Sequence, residues 1–169
     1  MPSDAGSAPL ETRANHGRTA LVAALVVGIV ALDQLTKAWV VASFSDAPLS
    51  IVGTTIEFRV SRNTGGAFSL FQEFTPVLAV LAVIVAVVLV RTLQRTQDRV
   101  ILVALALVLA GAVGNLVDRM ARAPGFLRGA VVDFIRVGSF PSFNVADSSI
   151  TIGAVLLVIW GWRYQPEGE

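Results

Sequence analysis

Four long apolar stretches divide this chain, at residues 19–41, 75–90, 100–117 and 149–162. A helix crosses a bilayer with about 20 apolar residues, or somewhat fewer when long polar side chains at its ends reach the interface. Because 54% of the 169 residues are hydrophobic, the composition is far too apolar for an ordinary soluble domain. A cleaved signal peptide at the first stretch would put charged residues where small cleavage-site residues are needed. The pattern therefore predicts a mainly α-helical membrane protein with four transmembrane helices.

Polar side chains gather at one end of these predicted helices. A helix rises about 1.5 Å per residue. The distance along the helix axis is therefore about 21–22 Å from Thr19 to Asp33, and the same from Val100 to Asn115. If successive helices run in opposite directions, these residues and Asp147 reach the same membrane boundary. Ionisable groups at membrane depth are costly, which favours a functional site there. The polar residues at this boundary are Asp33, Lys37, Asn115, Asp118, Arg119, Asp133, Asn144 and Asp147.

The two connections on the polar side are long, at residues 43–74 and 119–147, and both contain strand patterns. Residues 56–60 alternate apolar and polar side chains with the period of two that is typical of a half-buried strand. Residues 131–137 are rich in β-branched side chains and lie between two glycines. We therefore expect a small extramembrane β-sheet standing on the four helices. The predicted organisation is a disordered tail at 1–18, a single membrane domain at 19–163 and a second tail at 164–169.

The scarcity of several residue types limits the possible chemistry. The chain has no Cys and only one His, His16, which lies in the polar N-terminal tail. These counts exclude thiol nucleophiles and argue against a Ser-His-Asp triad or a His-based zinc site. We expect no metal and no cofactor, and any hydrolysis would use carboxylates, Lys37 or hydroxyl groups. A net charge of +1 with no basic cluster argues against a nucleic-acid partner.

Asp133 and Asp147 are the candidate catalytic pair. Two carboxylates that approach closely cannot both ionise easily, so one retains a proton. The ionised group can then take a proton from water, while the protonated group polarises a carbonyl and later protonates the leaving amine. Each residue also has a structural interpretation, because Asp147 stands where a helix N-cap is expected and Asp133 could face solvent from a strand.

Several other polar residues also have two interpretations. Asp33 and Lys37 are four residues apart, a spacing that suits an ion pair on one helix face. The pair could neutralise charge at the interface or support a site, and Lys37 could also activate a serine. Asn115, Asp118 and Arg119 share one face of the third helix, where Arg119 could pair with Asp118 or bind an anion.

Glycines occur at two places where close approach is expected. Gly111 and Gly114, in the third helix, would let a neighbouring helix pack closely. Gly65 follows Asn63 after the first predicted strand, and it begins a glycine pair. This pair indicates either a simple turn or a backbone that approaches a ligand.

Taken together, five segments resemble the lipoprotein signal peptidase family, also called signal peptidase II. They occur in the family's order and extend from about residue 20 to residue 163, and five ordered motifs are far more specific than any one alone. The motifs are Asp33-Gln34-Leu35-Thr36-Lys37, Asn63-Thr64-Gly65-Gly66-Ala67-Phe68, Gly114-Asn115-Leu116-Val117-Asp118-Arg119, Val131-Val132-Asp133-Phe134 and Phe143-Asn144-Val145-Ala146-Asp147-Ser148.

The resemblance implies an aspartyl endopeptidase that removes the signal peptide from a prolipoprotein, cutting just before the Cys that carries diacylglyceryl. It implies that Asp133 and Asp147 are the catalytic pair. It also implies a bacterial inner-membrane protein with cytoplasmic termini and with its sheet and active site at the periplasmic face. We expect a monomer in contact with membrane lipids. The residues implied to line or support the site are Asn63, Gly65, Asn115, Arg119, Asn144, Asp33, Lys37 and Asp118.

Two other classes of protein share some of these features. A small four-span proton-coupled exporter also carries a carboxylate in its first span, as Asp33 would be here. A non-catalytic membrane interaction module would tolerate Asn in place of Asp133 and Asp147. The long connections at 43–74 and 119–147 hold most of the motif residues, and they favour the peptidase because an exporter needs only short connections.

Overall fold

The computed structural model describes residues 8–53, 55–65 and 75–163, with side chains from residue 16 onward. The described residues form four helices, each long and apolar enough to cross a membrane, and a three-stranded sheet, which confirms the predicted fold class. In chain order the elements are α1 (Ala8–Phe44), β1 (Leu49–Val52), β2 (Ile56–Asn63), α2 (Thr75–Arg95), α3 (Arg99–Ala121), β3 (Val131–Val137) and α4 (Val145–Arg163).

The helices match the predicted spans, with differences at two of their starts. α1 begins at Ala8, eleven residues before the predicted first span and within the segment predicted as a tail. This segment is polar, but it contains good helix formers and has Pro9 in the first turn, where the missing N–H costs nothing. α4 begins at Val145, four residues before the predicted span, and its first turn therefore includes Asp147.

α3 lies at the centre of the bundle and packs against the other three helices. Its Leu102, Leu105 and Leu109 form a buried core with Leu93 of α2. Burial of side chains of this size stabilises a fold by about 1.5–3 kcal/mol each. Val22 and Val26 of α1 and Leu157 of α4 also pack against these leucines, so the apolar core lies around α3 where the four helices meet.

Glycines bring α1 and α4 close to α3. A Cβ atom on Gly111 would collide with the carbonyl oxygen of Ala146, and a Cβ atom on Gly114 would lie 3.0 Å from Oδ2 of Asp33. These distances confirm the predicted close approach, because no side chain fits between the helices at either position. As a result, the polar ends of the three helices meet.

Replacing Gly111 with alanine is expected to lower the free energy of unfolding by about 1–3 kcal/mol, the usual cost of overpacking. The added methyl group must displace the Ala146 carbonyl or the Ile150 side chain, whose Cγ1 would be 2.6 Å away. Gly28→Ala is the matched control, since a Cβ atom there would have no neighbour within 4 Å. That control should raise stability by about 0.5–1 kcal/mol. Similar thermal unfolding of the two variants would contradict the packing.

The sheet has the order β1-β2-β3, and neighbouring strands are antiparallel. β2 and β3 confirm the two predicted strands, and β2 continues beyond the prediction to Asn63. β1 is not predicted from the sequence, because it has only four residues and all of them are exposed. The register places Asp133 opposite Ser61 and Val131 opposite Asn63, so Asn63 and Asp133 lie on adjacent strands.

Aromatic rings attach the sheet to the end of α1. Phe58 of β2 packs edge-to-face against Trp39, with ring centroids 6.0 Å apart, and against Phe134, at 5.8 Å. Phe44 packs against Trp39 at 5.2 Å. Such pairs contribute about 0.5–1.5 kcal/mol beyond the area that they bury. Because Phe134 follows Asp133, the cluster holds this part of β3 over the polar end of the bundle.

Polar contacts also join the helix ends at the opposite side of the bundle. Nη1 of Arg18 donates to Oε1 of Gln97 at 2.7 Å, and Nη2 donates to the carbonyl of Thr96. Asp98 caps the start of α3, and its Oδ2 accepts a hydrogen bond from Nε1 of Trp160 at 3.2 Å. The part of α1 around Arg18, the α2–α3 turn and the end of α4 therefore lie together, as helices of alternating direction require.

Candidate active site

Asp133 and Asp147 come from different elements and meet around Asn144. Asp133 lies within β3 and is only 4% exposed, and Asp147 lies in the first turn of α4. Nδ2 of Asn144 donates to Oδ1 of Asp133 at 2.7 Å, and the backbone N–H of Asn144 donates to Oδ2 of Asp147 at 3.2 Å. One residue therefore binds both carboxylates, so the two residues predicted as a pair lie in one site.

A reciprocal cap holds this arrangement at the start of α4. Oδ1 of Asn144 accepts the Asp147 N–H at 2.9 Å, while Oδ2 of Asp147 accepts the Asn144 N–H. This is the geometry of a capping box, in which the N-cap residue and the residue three positions later bind each other's N–H groups. The N-cap is therefore Asn144, and the interpretation of Asp147 as the N-cap is wrong. The remaining oxygen of Asp147 accepts from Nδ2 of Asn115 at 2.8 Å.

Asn63, Gly65 and Asn115 also lie in this site. Nδ2 of Asn63 donates to Oδ2 of Asp133 at 3.2 Å, and its Oδ1 accepts the N–H of the buried Gly65 at 3.1 Å, which closes a turn after β2. Oδ1 of Asn115 accepts from Nδ2 of Asn144 at 3.1 Å. Each carboxylate therefore receives N–H groups from two directions, and its orientation is held.

A buried ionic network lies beneath the pair. Lys37 is the only lysine of the chain, and its Nζ is 2.7 Å from Oδ2 of Asp33 and 2.8 Å from Oδ2 of Asp118. All three side chains are completely buried. Nε of Arg122 lies 2.7 Å from Asp118, and Nζ of Lys37 also donates to Oδ1 of Asn115 at 3.2 Å. Two carboxylates thus face two cations, and each buried charge has the partner that burial requires.

This network reaches the backbone beside each member of the pair. Oδ1 of Asp33 accepts the Ala146 N–H at 2.9 Å, directly before the carboxyl-bearing residue of α4. Oδ2 of Asp118 accepts the Val132 N–H at 3.1 Å, directly before the carboxyl-bearing residue of β3. Because Lys37 binds both supporting carboxylates, a single cation ties the start of α4 to β3.

Arg119 lies at the same end of α3, but it does not form the ion pair with Asp118 that their spacing allowed. Its guanidinium is within electrostatic range of Asp133 and Asp147. Its Nη1 is buried and has no hydrogen-bond partner among the described residues. Burying a donor without a partner destabilises the fold by about 1–3 kcal/mol. A ligand that brings an acceptor to Nη1 would remove this cost.

The surroundings of Asp133 favour its protonated form. Burial, followed by the negative charge of Asp147, raises the pKa of Asp133 to about 7. Hydrogen bonds from Asn63 and Asn144 and the positive charge of Lys37 act in the opposite direction, since they stabilise the ionised form. Asp133 therefore keeps its proton well above the usual pH range of a carboxyl group, and loses it only as the pH rises through about 7.

Activity that needs a proton on Asp133 is expected to fall as the pH rises through about 7. The folded-state pKa lies above the unfolded value of about 3.9, so the contribution of this group to stability is fully present below about 3.9 and is lost as the pH rises from there to about 7. Asn63→Ala removes a donor that stabilises the ionised carboxylate, so the alkaline limb of kcat/KM should move to higher pH. A limb that moves to lower pH in this variant would show that another group is titrating.

Lys37 is not placed to activate a serine. Its Nζ is occupied by two carboxylates and an amide oxygen. Ser148 and Ser149, which follow the pair most closely, donate to the backbone carbonyls of Asn144 and Leu107 at 2.9 and 2.7 Å. The arrangement therefore supports carboxylate chemistry rather than a serine–lysine dyad.

Two residues of the site are not predicted from the sequence as site residues. Nε2 of Gln34 donates to the carbonyl of Gly114 at 3.1 Å and so links α1 to α3, and Arg122 pairs with Asp118. The spacing of four residues between Asp118 and Arg122 is a signal that could have indicated the ion pair. Gln34 has no comparable signal. Residues 66–68 of the glycine-containing motif lie outside the described residues.

Known proteins resemble this chain over most of its length. The family model described as signal peptidase (SPase) II matches residues 25–163. A lipoprotein signal peptidase of Rhodococcus jostii (strain RHA1) is 42% identical over 155 residues, which cover 91% of this chain and 78% of that protein. A lipoprotein signal peptidase of Mycobacterium avium (strain 104) is 43% identical over 156 residues, which cover 90% of this chain and 86% of that protein.

Solved structures share the fold. A chain described as a bacterial membrane enzyme, determined by the in meso method at 2.3 Å resolution, matches with a TM-score of 0.74 and 28% identity over 89% of this chain and 94% of its own. A second, at 1.9 Å resolution, has the same TM-score and covers 86% of this chain and 95% of its own. With a family match over most of the chain and relatives above 40% identity, this protein belongs to the signal peptidase II family.

Proposed function

We propose that this protein is a lipoprotein signal peptidase, an aspartic endopeptidase that removes the signal peptide from prolipoproteins. Its substrate carries diacylglyceryl on a Cys residue, and the bond that breaks is the peptide bond just before that Cys. The observation that carries the proposal is the convergence of Asp133 and Asp147 on Asn144 in a chain of this family. A proton-coupled exporter would give this pair no role.

In the first step a water molecule is activated between the two carboxyl groups. Asp147 is the base and takes a proton from the water, and the water oxygen attacks the carbonyl carbon of the scissile bond. Asp133 donates its proton to the carbonyl oxygen, which becomes a hydroxyl group of a tetrahedral diol. The proton that burial keeps on Asp133 near neutral pH is the one that this step needs.

In the second step the diol collapses and the carbon–nitrogen bond breaks. The leaving nitrogen takes the proton that Asp147 removed from water, and a diol hydroxyl returns a proton to Asp133. The products are the carboxyl end of the signal peptide and the free amino group of the lipidated Cys. The pair ends in its starting protonation state, so no metal or cofactor is required.

Arg119 is the group that we assign to substrate binding. Its buried Nη1 lacks an acceptor among the described residues and lies in the electrostatic range of both aspartates. A backbone carbonyl of the substrate beside the scissile bond would supply that acceptor. The Asn63, Asn115 and Asn144 side chains orient the pair, and the Asp33–Lys37–Asp118 network supports it.

We place the active site at the periplasmic face of the bacterial inner membrane, with both termini in the cytoplasm. Arg91, Arg95 and Arg99 cluster around the α2–α3 turn at the end opposite the aspartates, and such clusters favour the cytoplasmic side. In this orientation the loops at 43–74 and 119–147 are periplasmic. All the assigned groups come from one chain, so a monomer surrounded by lipid suffices.

A cleavage assay tests this function. The purified protein in detergent is incubated with a diacylglyceryl-modified prolipoprotein and with the same precursor lacking the lipid, and mass spectrometry identifies the products. We expect cleavage of the lipidated precursor at the bond before its modified Cys. A folded protein that leaves this precursor intact, under conditions in which a known relative cleaves it, would overturn the assignment.

A further inference from the structure

A cavity of about 490 Å³ lies beside the aspartate pair. It is formed between residues 140–143, which precede α4, and the first two turns of α4. Asp147 is part of its wall, so the cavity is continuous with the proposed active site. Hydrolysis of the peptide bond alone gives this cavity no role.

The wall of this cavity is largely apolar, and its polar groups are the Asp147 carboxylate and the hydroxyls of Ser142, Ser148 and Thr151. Phe140 and Phe143 stand on one side, with ring centroids 6.0 Å apart, and Ile152 stands on the other. The hydroxyls of Ser148 and Thr151 each donate to the carbonyl four residues before them, at 2.9 Å, and so do not offer free donors. Phe140 and Ile152 are 65% and 54% exposed, so the cavity opens to the outside of the bundle.

We infer that this cavity holds an acyl chain of the diacylglyceryl group on the substrate. The inference rests on the proposed function, because the lipid is attached to the residue that follows the scissile bond. When that bond lies at Asp147, the glycerol is only a few bonds away, and its chains need an apolar path outward. The cavity beginning at Asp147 and ending at exposed apolar side chains provides this path.

Shape and charge favour a neutral acyl chain over other occupants. From Asp147 to Ile152 the cavity follows α4 for about 7.5 Å, at about 1.5 Å per residue, whereas a signal helix needs about 30 Å to cross a bilayer. Among the described residues that line it there is a carboxylate and no cation, so a phosphate headgroup would be repelled. Diacylglyceryl is uncharged, and each of its chains is narrower than a helix.

Substrates that differ only in acyl chain length test this assignment. Two versions of one prolipoprotein, with hexadecanoyl or with hexanoyl chains, are cleaved by wild type and by Ile152→Trp, which narrows the cavity. The ratio of kcat/KM for the long-chain substrate to that for the short-chain substrate should fall at least about tenfold, the smallest penalty expected for misfit in an apolar pocket. Ile159→Trp is the matched control, since Ile159 is two turns farther along α4, 44% exposed and outside the cavity. It should leave the ratio unchanged.

A second variant acts on the opposite wall. Phe140→Ala removes an apolar side of the cavity and should lower the same ratio, whereas Phe126→Ala, which removes an equally exposed ring elsewhere, should not. Thermal unfolding of all four variants establishes that they are folded. A fall of this ratio in both Ile152→Trp and Phe140→Ala would assign the cavity to the acyl chain.

Three results would overturn the assignment, and they can be told apart. If Ile152→Trp and Phe140→Ala affect both substrates equally, the cavity binds the peptide rather than the lipid. If neither variant changes cleavage, the cavity is not used. If wild type cleaves neither substrate, the proposed function fails and the acyl-chain site fails with it.

Discussion

Replacing Lys37 with methionine is expected to lower the free energy of unfolding by about 3–5 kcal/mol and to abolish cleavage. Methionine keeps most of the volume but removes a cation, so Asp33 would lose its ion pair and Asp118 would keep the one with Arg122. A buried charge without a counterion destabilises the folded state. Removing one partner of a buried ion pair therefore lowers the free energy of unfolding by more than the intact pair contributed to it. Thermal unfolding in detergent measures the effect. Arg95→Met, which removes an exposed cation at the opposite end, should change neither stability nor cleavage.

A double variant separates the charge of this network from its geometry. Adding Asp33→Asn to Lys37→Met restores neutrality, and the new amide oxygen can still accept the Ala146 N–H. Stability should therefore recover in part. Cleavage should stay low, because Asn115 has lost one of the two donors that orient it toward Asp147 and keeps only Asn144. Full activity in the double variant would show that Lys37 contributes charge balance only.

Asp133→Asn and Asp147→Asn are each expected to lower kcat by at least about a thousandfold. A positioned general acid or base contributes about 10²–10⁴-fold, and groups that act as one unit lose most of their effect when either is removed. Both variants should fold, because the amide has the same shape and keeps one acceptor oxygen. The free energy of unfolding should change by no more than about 1–2 kcal/mol. Asp46→Asn, at an exposed position after α1, is the matched control and should retain full activity.

The stability of Asp133→Asn also reports where the shared proton lies. In wild type the ionised carboxylate is the disfavoured form, so the free energy of unfolding falls as the pH rises from about 4 to about 7 and levels off above that. The amide does not titrate, and the variant should lose this dependence. The free energy of unfolding of the variant, relative to that of wild type, should therefore increase as the pH is raised from acidic to alkaline values. The same pH dependence in both proteins would place the proton elsewhere.

The helices and two of the strands could be predicted because their signals are local. Long apolar runs, three of which rely on polar side chains at their ends to reach the interface, identify α1 to α4, and the side-chain pattern of residues 56–60 and 131–137 identifies β2 and β3. β1 could not be predicted, because a four-residue exposed strand has no pattern and forms only by pairing with β2. The helical start of α1 was hidden by its polar composition, which excludes a membrane span without excluding a helix.

The candidate site could be predicted as a set of residues, but not as a geometry. The helix rise placed Asp33, Asn115 and Asp147 at one boundary, and hydrogen bonds now join these three helix ends. The central position of Asn144 could not be derived, since its contact with Asp133 depends on how β3 packs against the start of α4. The two interpretations of Arg119 could not be separated for a similar reason, because two arginines lie near Asp118 in sequence and packing selects Arg122 as its partner.

The most direct test of the aspartate pair is a single-turnover experiment with excess enzyme. Wild type, Asp133→Asn, Asp147→Asn and Asp46→Asn are each mixed with a diacylglyceryl-modified prolipoprotein, and mass spectrometry follows the product over time. We predict cleavage before the lipidated Cys at equal rates for wild type and Asp46→Asn, with both pair variants slower by at least about a thousandfold. Cleavage at a near wild-type rate by either folded pair variant would contradict the assignment of Asp133 and Asp147 as the catalytic groups.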